Sequence, residues 1–158
     1  MPNWCMNQLT VKGTKSKLAA FRKKAKTAES DFSFEPFLPM PKELGNSVAN
    51  FKENPEMVIK YGFSSWYQRN CNVLGTKWDV KGELDCIDST QLGYTFDSAW
   101  SPPIAGVIRL SEKFLDLEFT LTFDEPGMDF AGEVVIKGGE IVSETTTKSP
   151  SNAEMHED

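Results

Sequence analysis

Residues 117 to 123 leave little choice of conformation. Leu117, Phe119, Leu121 and Phe123 alternate strictly with Glu118, Thr120 and Thr122, a period of two that puts every large apolar side chain on one face of a strand. A helix would scatter both sets around its circumference. The segment must therefore be a half-buried strand, and other elements must cover its apolar side.

The same alternation recurs more weakly elsewhere. Residues 4 to 11 read as a first strand closed by Gly13, and residues 83 to 87 and 92 to 98 alternate around a turn at Asp88-Ser89-Thr90. Residues 130 to 137 and 140 to 144 form a hairpin through Gly138-Gly139. Residues 31 to 34 alternate as a short strand with Phe32 and Phe34 on one face. Between these runs the period changes. Thr14 or Ser16 caps a helix over 17 to 27, where Leu18, Phe21 and Ala25 recur at helical spacing. A second helix spans 103 to 114, with Ser101 or Pro102 near its cap and Ile104, Val107, Ile108 and Leu110 or Leu115 turned inward. Residues 55 to 74 form one helix or two, with Gly62 as the weak point and Gly75 as the stop. The proline-rich run at 36 to 41 cannot join a helix or a central strand, so it crosses the surface, pinned by Phe37, Leu38 and Met40.

The order is strand, helix, strand, helical insertion, strand pair, helix, strand, hairpin. Two strand-helix-strand units with both helices on one face of an antiparallel sheet predict an α+β, ferredoxin-like split βαβ sandwich. A helical insertion at 45 to 80 separates the halves, and a C-terminal β-hairpin extends the sheet. One domain is expected over residues 1 to 144. Residues 145 to 158, TTTKSPSNAEMHED, lack apolar anchors and are predicted to be a disordered acidic tail. A length of 158 residues with 39% hydrophobic content suits one domain with its own core.

Composition narrows the chemistry. The single histidine, His156, lies in the tail, which removes histidine-based triads and histidine-rich metal sites. Cys5, Cys71 and Cys86 stand too far apart for a CxxC pair, a zinc knuckle or an iron–sulfur cluster, so reduced, buried thiols are expected. No apolar run is long enough to span a membrane, and the N-terminus lacks a signal-peptide pattern, so a cytoplasmic location with no membrane partner is expected. The net charge of -6 conceals an asymmetry: residues 1 to 80 hold 12 Lys+Arg against 7 Asp+Glu, and residues 81 to 158 hold 5 against 16. An acidic whole disfavours duplex nucleic acid.

Several strings are too unusual to follow from composition: MPNWCMNQLTVKG at 1 to 13, FLPMPKEL at 37 to 44, WYQRNCNVLGTKWD at 66 to 79, and FDSAWSPPIAGVIRLSEKF at 96 to 114. FTLTFDEPGMDFAGEVV at 119 to 135 adds a weaker fifth. Together they resemble the signatures of the YubB-type ferredoxin-like family, Api-like proteins of phages and plasmids. The resemblance implies the fold above and a cytoplasmic protein of a mobile element. The family's activity is largely unassigned, so it transfers no catalytic residue. This chain departs from the family pattern at residues 70 to 75, NCNVLG, where an aromatic residue often precedes the glycine.

Polar and aromatic residues crowd into those strings. Asn3, Trp4 and Asn7, then Asn72, Thr76, Lys77, Trp78 and Asp79, then Trp100 and Ser101, are the candidate ligand-binding residues. Tryptophan supplies a flat stacking surface, asparagine paired donors and acceptors, and lysine a charge for phosphate, which is the inventory of a nucleotide-like pocket. The competing reading is a dry tryptophan cluster with Lys77 paired to Asp79 or another acid. Gly75-Thr76-Lys77 lacks the upstream glycine of a phosphate loop and is not one. Asp124, Glu125 and Asp129 flank a bend that has the oxygen ligands for a divalent cation, but acidic turns are common on an acidic chain. No metal site, cofactor or catalytic residue is assigned. The leading expectation is a non-enzymatic phage or plasmid accessory protein that binds and sequesters a host component, a small nucleotide-like signal or a host defence protein, to counter host defence. The alternatives are a protein-interaction module using an acidic face at 112 to 144, then single-stranded nucleic-acid binding on the open sheet face.

Overall fold

The computed structural model describes residues 2–49 and 53–155, with side chains through residue 152. The chain runs β1 (Trp4–Lys12), α1 (Lys15–Ala25), α2 (Lys42–Gly45), α3 (Pro55–Tyr61), α4 (Trp66–Val73), β2 (Glu83–Ile87), β3 (Gln91–Ala99), α5 (Ile104–Lys113), β4 (Glu118–Glu125), β5 (Phe130–Lys137), β6 (Glu140–Thr147) and α6 (Pro150–Met155), with a 3-10 turn at Pro126–Met128. Six strands form one antiparallel sheet in the order β2-β3-β1-β4-β5-β6. The first four positions are the split βαβ arrangement, in which β1 lies between β3 and β4 and each helix crosses back over the sheet. The ferredoxin-like α+β fold, with its C-terminal hairpin, is therefore present.

Alternation decides which face is covered. Leu9 and Val11 of β1, Tyr94 and Phe96 of β3, Phe119, Leu121 and Phe123 of β4 and Val134 and Ile136 of β5 all join one core with Leu18, Phe21 and Ala25 of α1 and Val107 and Leu110 of α5. Both helices pack on this face. Leu117 is buried too, whereas Leu115, the alternative to Leu110 on the stripe of α5, is exposed. Phe21 organises the layer: its ring lies 5.2 Å from that of Phe37, 5.3 Å from Phe114 and 5.6 Å from Phe119. Thr14 is the cap of α1, accepting from the Lys17 N–H at 3.4 Å. Residues 55 to 74 break at Gly62 into α3 and α4, because Gly62 takes a left-handed conformation at φ 84°.

Four expectations are corrected. Residues 31 to 34 form no strand; Phe32 makes an isolated bridge to Gly82, while the Phe34 N–H goes to the Asp79 carboxylate and the Phe34 carbonyl accepts from Phe37 and Leu38. A side chain has replaced the neighbouring strand that the alternation requires. Helix α5 starts after Pro103, with no side-chain cap from Ser101 or Pro102. The thiols are not uniformly buried, since Cys71 is exposed and Cys86 intermediate.

The predicted disordered tail from residue 145 is the fourth. β6 continues to Thr147 and α6 follows. The anchors are polar: the Ser149 N–H donates to Asp129 Oδ1 at 3.2 Å, the Ser149 and Ser151 hydroxyls donate to Asp124, and Asn152 Nδ2 donates to the Pro126 carbonyl at 2.8 Å. An apolar inventory could not see such docking. His156 lies outside the described residues.

A tryptophan-lined cleft as the candidate functional site

The segment carrying Lys77 and Trp78 is held from both ends. On the helix side, the Ser65 hydroxyl caps α4 by accepting from the Gln68 N–H at 3.3 Å, and Gly75 ends the run at φ 86°. Asn70 of α4 is buried and donates through Nδ2 to the Lys77 carbonyl at 3.0 Å. On the strand side, the Asp79 carboxylate accepts from the backbone N–H groups of Phe34 and Glu35 at 2.9 Å and of Val80 at 2.7 Å. Two residues between two fixed points have little freedom, so the side chains they present are set by the fold. Arg69 braces the helix from behind. Its buried guanidinium donates to the Leu38 carbonyl at 2.6 Å and to Asn70 Oδ1 at 3.0 Å, tying α4 to the proline-rich crossing.

These supports shape a cleft of about 760 Å³. Helix α4 provides one wall through Trp66, Tyr67, Gln68, Cys71 and Asn72; Lys77 and Trp78 provide the other, and Ala49, Glu53 and Ser64 close it. Its size falls within the range of roughly 300–1,000 Å³ usual for small-molecule sites. The Lys77 ammonium rests 4.5 Å above the Trp78 ring and 5.8 Å from the Tyr67 ring. Such a cation–π contact at an exposed position is worth about 0.5–1 kcal/mol, so an anionic ligand can draw the lysine away at small cost. Among the described residues Lys77 has no carboxylate partner. The Tyr67 phenol is held above its usual titration range, chiefly by the neighbouring Cys71 side chain.

The three sequence strings do converge. Trp4 lies beside Trp78, ring centroids 6.3 Å apart and tilted by 34°. The Trp100 N–H donates to the Asn3 carbonyl at 2.8 Å, Thr76 Oγ1 to the Ala99 carbonyl at 2.8 Å, and Ser101 Oγ to the Gly75 carbonyl at 2.6 Å. The assembly is neither a dry core nor a single pocket. Trp4, Trp78 and Trp100 are 46%, 39% and 47% exposed. Of the ten candidates, Asn72, Lys77 and Trp78 line the cleft and Trp4 flanks it. Asn7 is buried and bonds Ser98 Oγ at 2.9 Å; Asp79, Thr76 and Ser101 serve backbone groups. Trp100 stands at φ 70°, a left-handed conformation that costs a bulky residue roughly 1–2 kcal/mol.

Tyr67, Cys71 and Trp66 were not among the candidates. Tyr67 and Cys71 stand four apart in sequence, a spacing that places them on one helix face, but nothing in the sequence told which face would meet Lys77. Leu74, the position of the missing aromatic, is buried in the core and does not shape the cleft. Asp124, Glu125 and Asp129 are each engaged within the fold: Glu125 is buried and accepts from the Met128 N–H at 3.0 Å, while Asp124 and Asp129 hold the C-terminal segment. Among the described residues no cluster of three His, Cys, Asp or Glu side chains could hold a metal. On the open sheet face, Phe119 and Phe123 are turned away into the core and cannot stack a base.

The fold defines an α+β ferredoxin-like domain with a helical insertion that bears the cleft. The chain belongs to the family described as the ferredoxin-like domain in Api92-like protein, whose model matches residues 76–158. Its fold is similar to the crystal structure of protein api92 from Yersinia pseudotuberculosis, with a TM-score of 0.62 over 94% of this chain and 99% of that one at 11% identity. No curated protein sequence matches it.

Proposed function

We propose that this protein is a non-enzymatic binding protein that holds a small nucleotide-like ligand in the α4 cleft. The observation that carries the reading is the pairing of aromatic faces with one cation: Trp66, Tyr67 and Trp78 offer surfaces for a base, and the Lys77 ammonium is poised above two of them with no ion-pair partner among the described residues. Charge narrows the ligand. Glu53 and Lys77 are the charged groups among the described residues lining the cleft, so a singly charged phosphodiester suits it better than a triphosphate. Binding without turnover sequesters the ligand. The resemblance to phage and plasmid proteins makes host signalling nucleotides the first to test, with countering of host defence as the purpose.

Thermal-shift and tryptophan-fluorescence titrations with mononucleotides, cyclic nucleotides and nucleoside triphosphates test this. A ligand at a hundredfold excess over its Kd should stabilise the fold by about 2.7 kcal/mol, with the gain lost in Trp78→Ala and Lys77→Ala. If no nucleotide shifts the melting temperature, or if both variants bind like the parent protein, the proposal fails.

A further inference from the structure

A second cavity, of about 640 Å³, lies between α1 and the β2–β3 hairpin. Lys15, Arg22, Lys23 and Lys26 of the α1 region line it. None of these has an ion-pair partner among the described residues. The two carboxylates in its wall are already engaged by backbone: Asp31 Oδ2 accepts from the Leu84 N–H at 2.9 Å, and Asp88 Oδ1 accepts from the N–H groups of Thr90 and Gln91 at 2.8 and 2.9 Å. The space between the charges is apolar, built by Leu18, Leu84, Ile87 and Leu92.

Tyr94 reaches the same cavity from the core. Its ring packs 5.4 Å from Phe32 and is fully buried, yet its hydroxyl has no hydrogen-bond partner among the described residues. A buried donor left unmet costs about 1–3 kcal/mol, so an unsatisfied hydroxyl on a residue lining a basic cavity calls for an explanation that a ligand's acceptor would supply. Burial pushes the phenol up to about 12 against the pull of Arg22, so it remains a donor at neutral pH.

We infer that this groove binds an anionic amphiphile, a small molecule with one phosphate or carboxylate head and an apolar body. The head takes the Tyr94 hydroxyl and Arg22, and the body lies along Leu84, Ile87 and Leu92. This site is separate from the α4 cleft and does not depend on it.

Calorimetric titration of the full chain with decyl phosphate below its micelle concentration, beside decanol and inorganic phosphate, tests the inference. Decyl phosphate should bind at least about tenfold tighter than either, because neither alone meets both halves of the groove. Tyr94→Phe should weaken it by about tenfold, the loss of one hydrogen bond to a charged group, without lowering the urea midpoint, since the hydroxyl has no partner to lose. Arg22→Gln should weaken it by a similar factor, and Trp78→Ala should leave it unchanged. The inference is overturned if decyl phosphate does not bind, if decanol or inorganic phosphate binds as tightly, or if Tyr94→Phe and Arg22→Gln both bind like the parent. A fall in the urea midpoint of Tyr94→Phe would also overturn it, because the hydroxyl would then have a partner within the fold.

Discussion

Five of the phenylalanines and three of the tryptophans of this chain occupy different regions and are held by different forces. Phe21, Phe32, Phe34, Phe37 and Phe119 fill the layer between helices and sheet at 4% exposure or less, and their neighbours are mainly one another. Trp4, Trp78 and Trp100 stand at the end of the sheet, half in water, on backbone fixed by polar bonds from Asn70, Thr76, Asp79 and Ser101. Rings of similar chemistry therefore do different work. In the first region aromatic area is removed from water and stabilises the fold; in the second it is left available, and the stabilisation comes from the hydrogen bonds beneath it.

The contrast breaks first at Phe32. Phe32→Ala should lower unfolding free energy by about 3–5 kcal/mol in urea titration, since a fully buried ring leaves a cavity among packed rings. A loss below about 1 kcal/mol would show that the two regions are not distinct. Asp79→Ala comes next, with an expected loss of about 2 kcal/mol, because it strips the acceptor from three backbone donors; Asp79→Asn should recover part of it. The same variant should loosen Lys77 and Trp78, read as a red shift in tryptophan emission.

Trp78→Ala should cost roughly 1–2 kcal/mol, the sum expected of a tilted pair with Trp4 and the lysine contact. The thiols give the smallest difference at neutral pH. Cys5 is buried in the core and its titration is pushed from an ordinary 9.0 to about 12, chiefly by burial. Its folded value lies above its unfolded one, so the stability it contributes is complete below pH 9 and is lost as pH rises toward 12. Urea midpoints should therefore fall across that window, and fall less in Cys5→Ala. Cys71, exposed in the cleft, should be alkylated in the native protein while Cys5 reacts only on unfolding.

Much of the fold was legible because periodicity is local. Residues 83 to 87 and 130 to 137 were placed to the residue, and the alternation of 117 to 123 picked out β4 and its inward face. The proline run, the break at Gly62 and the stop at Gly75 followed from backbone chemistry. Asp31 to Phe34 looked like a strand because Phe32 and Phe34 do share the core, but sequence carries no sign that Asp79, far along the chain, would take the backbone bonds a partner strand needs. The tail failed for the same reason: serine and asparagine docked on Asp124, Asp129 and the Pro126 carbonyl, and no hydropathy pattern records such partners.

The sequence by itself determined the layer, through apolar side chains repeating every second residue on strands and every third or fourth on helices, and it determined that three strings pairing tryptophan with polar residues were unlike the rest. Tertiary structure alone decided what those strings became. Whether Trp78 is buried, whether Lys77 meets an acid or an aromatic ring, and whether Tyr94 finds an acceptor depend on groups brought together from distant parts of the chain. Periodicity reports the side of an element a residue occupies, whereas a site depends on what stands opposite it.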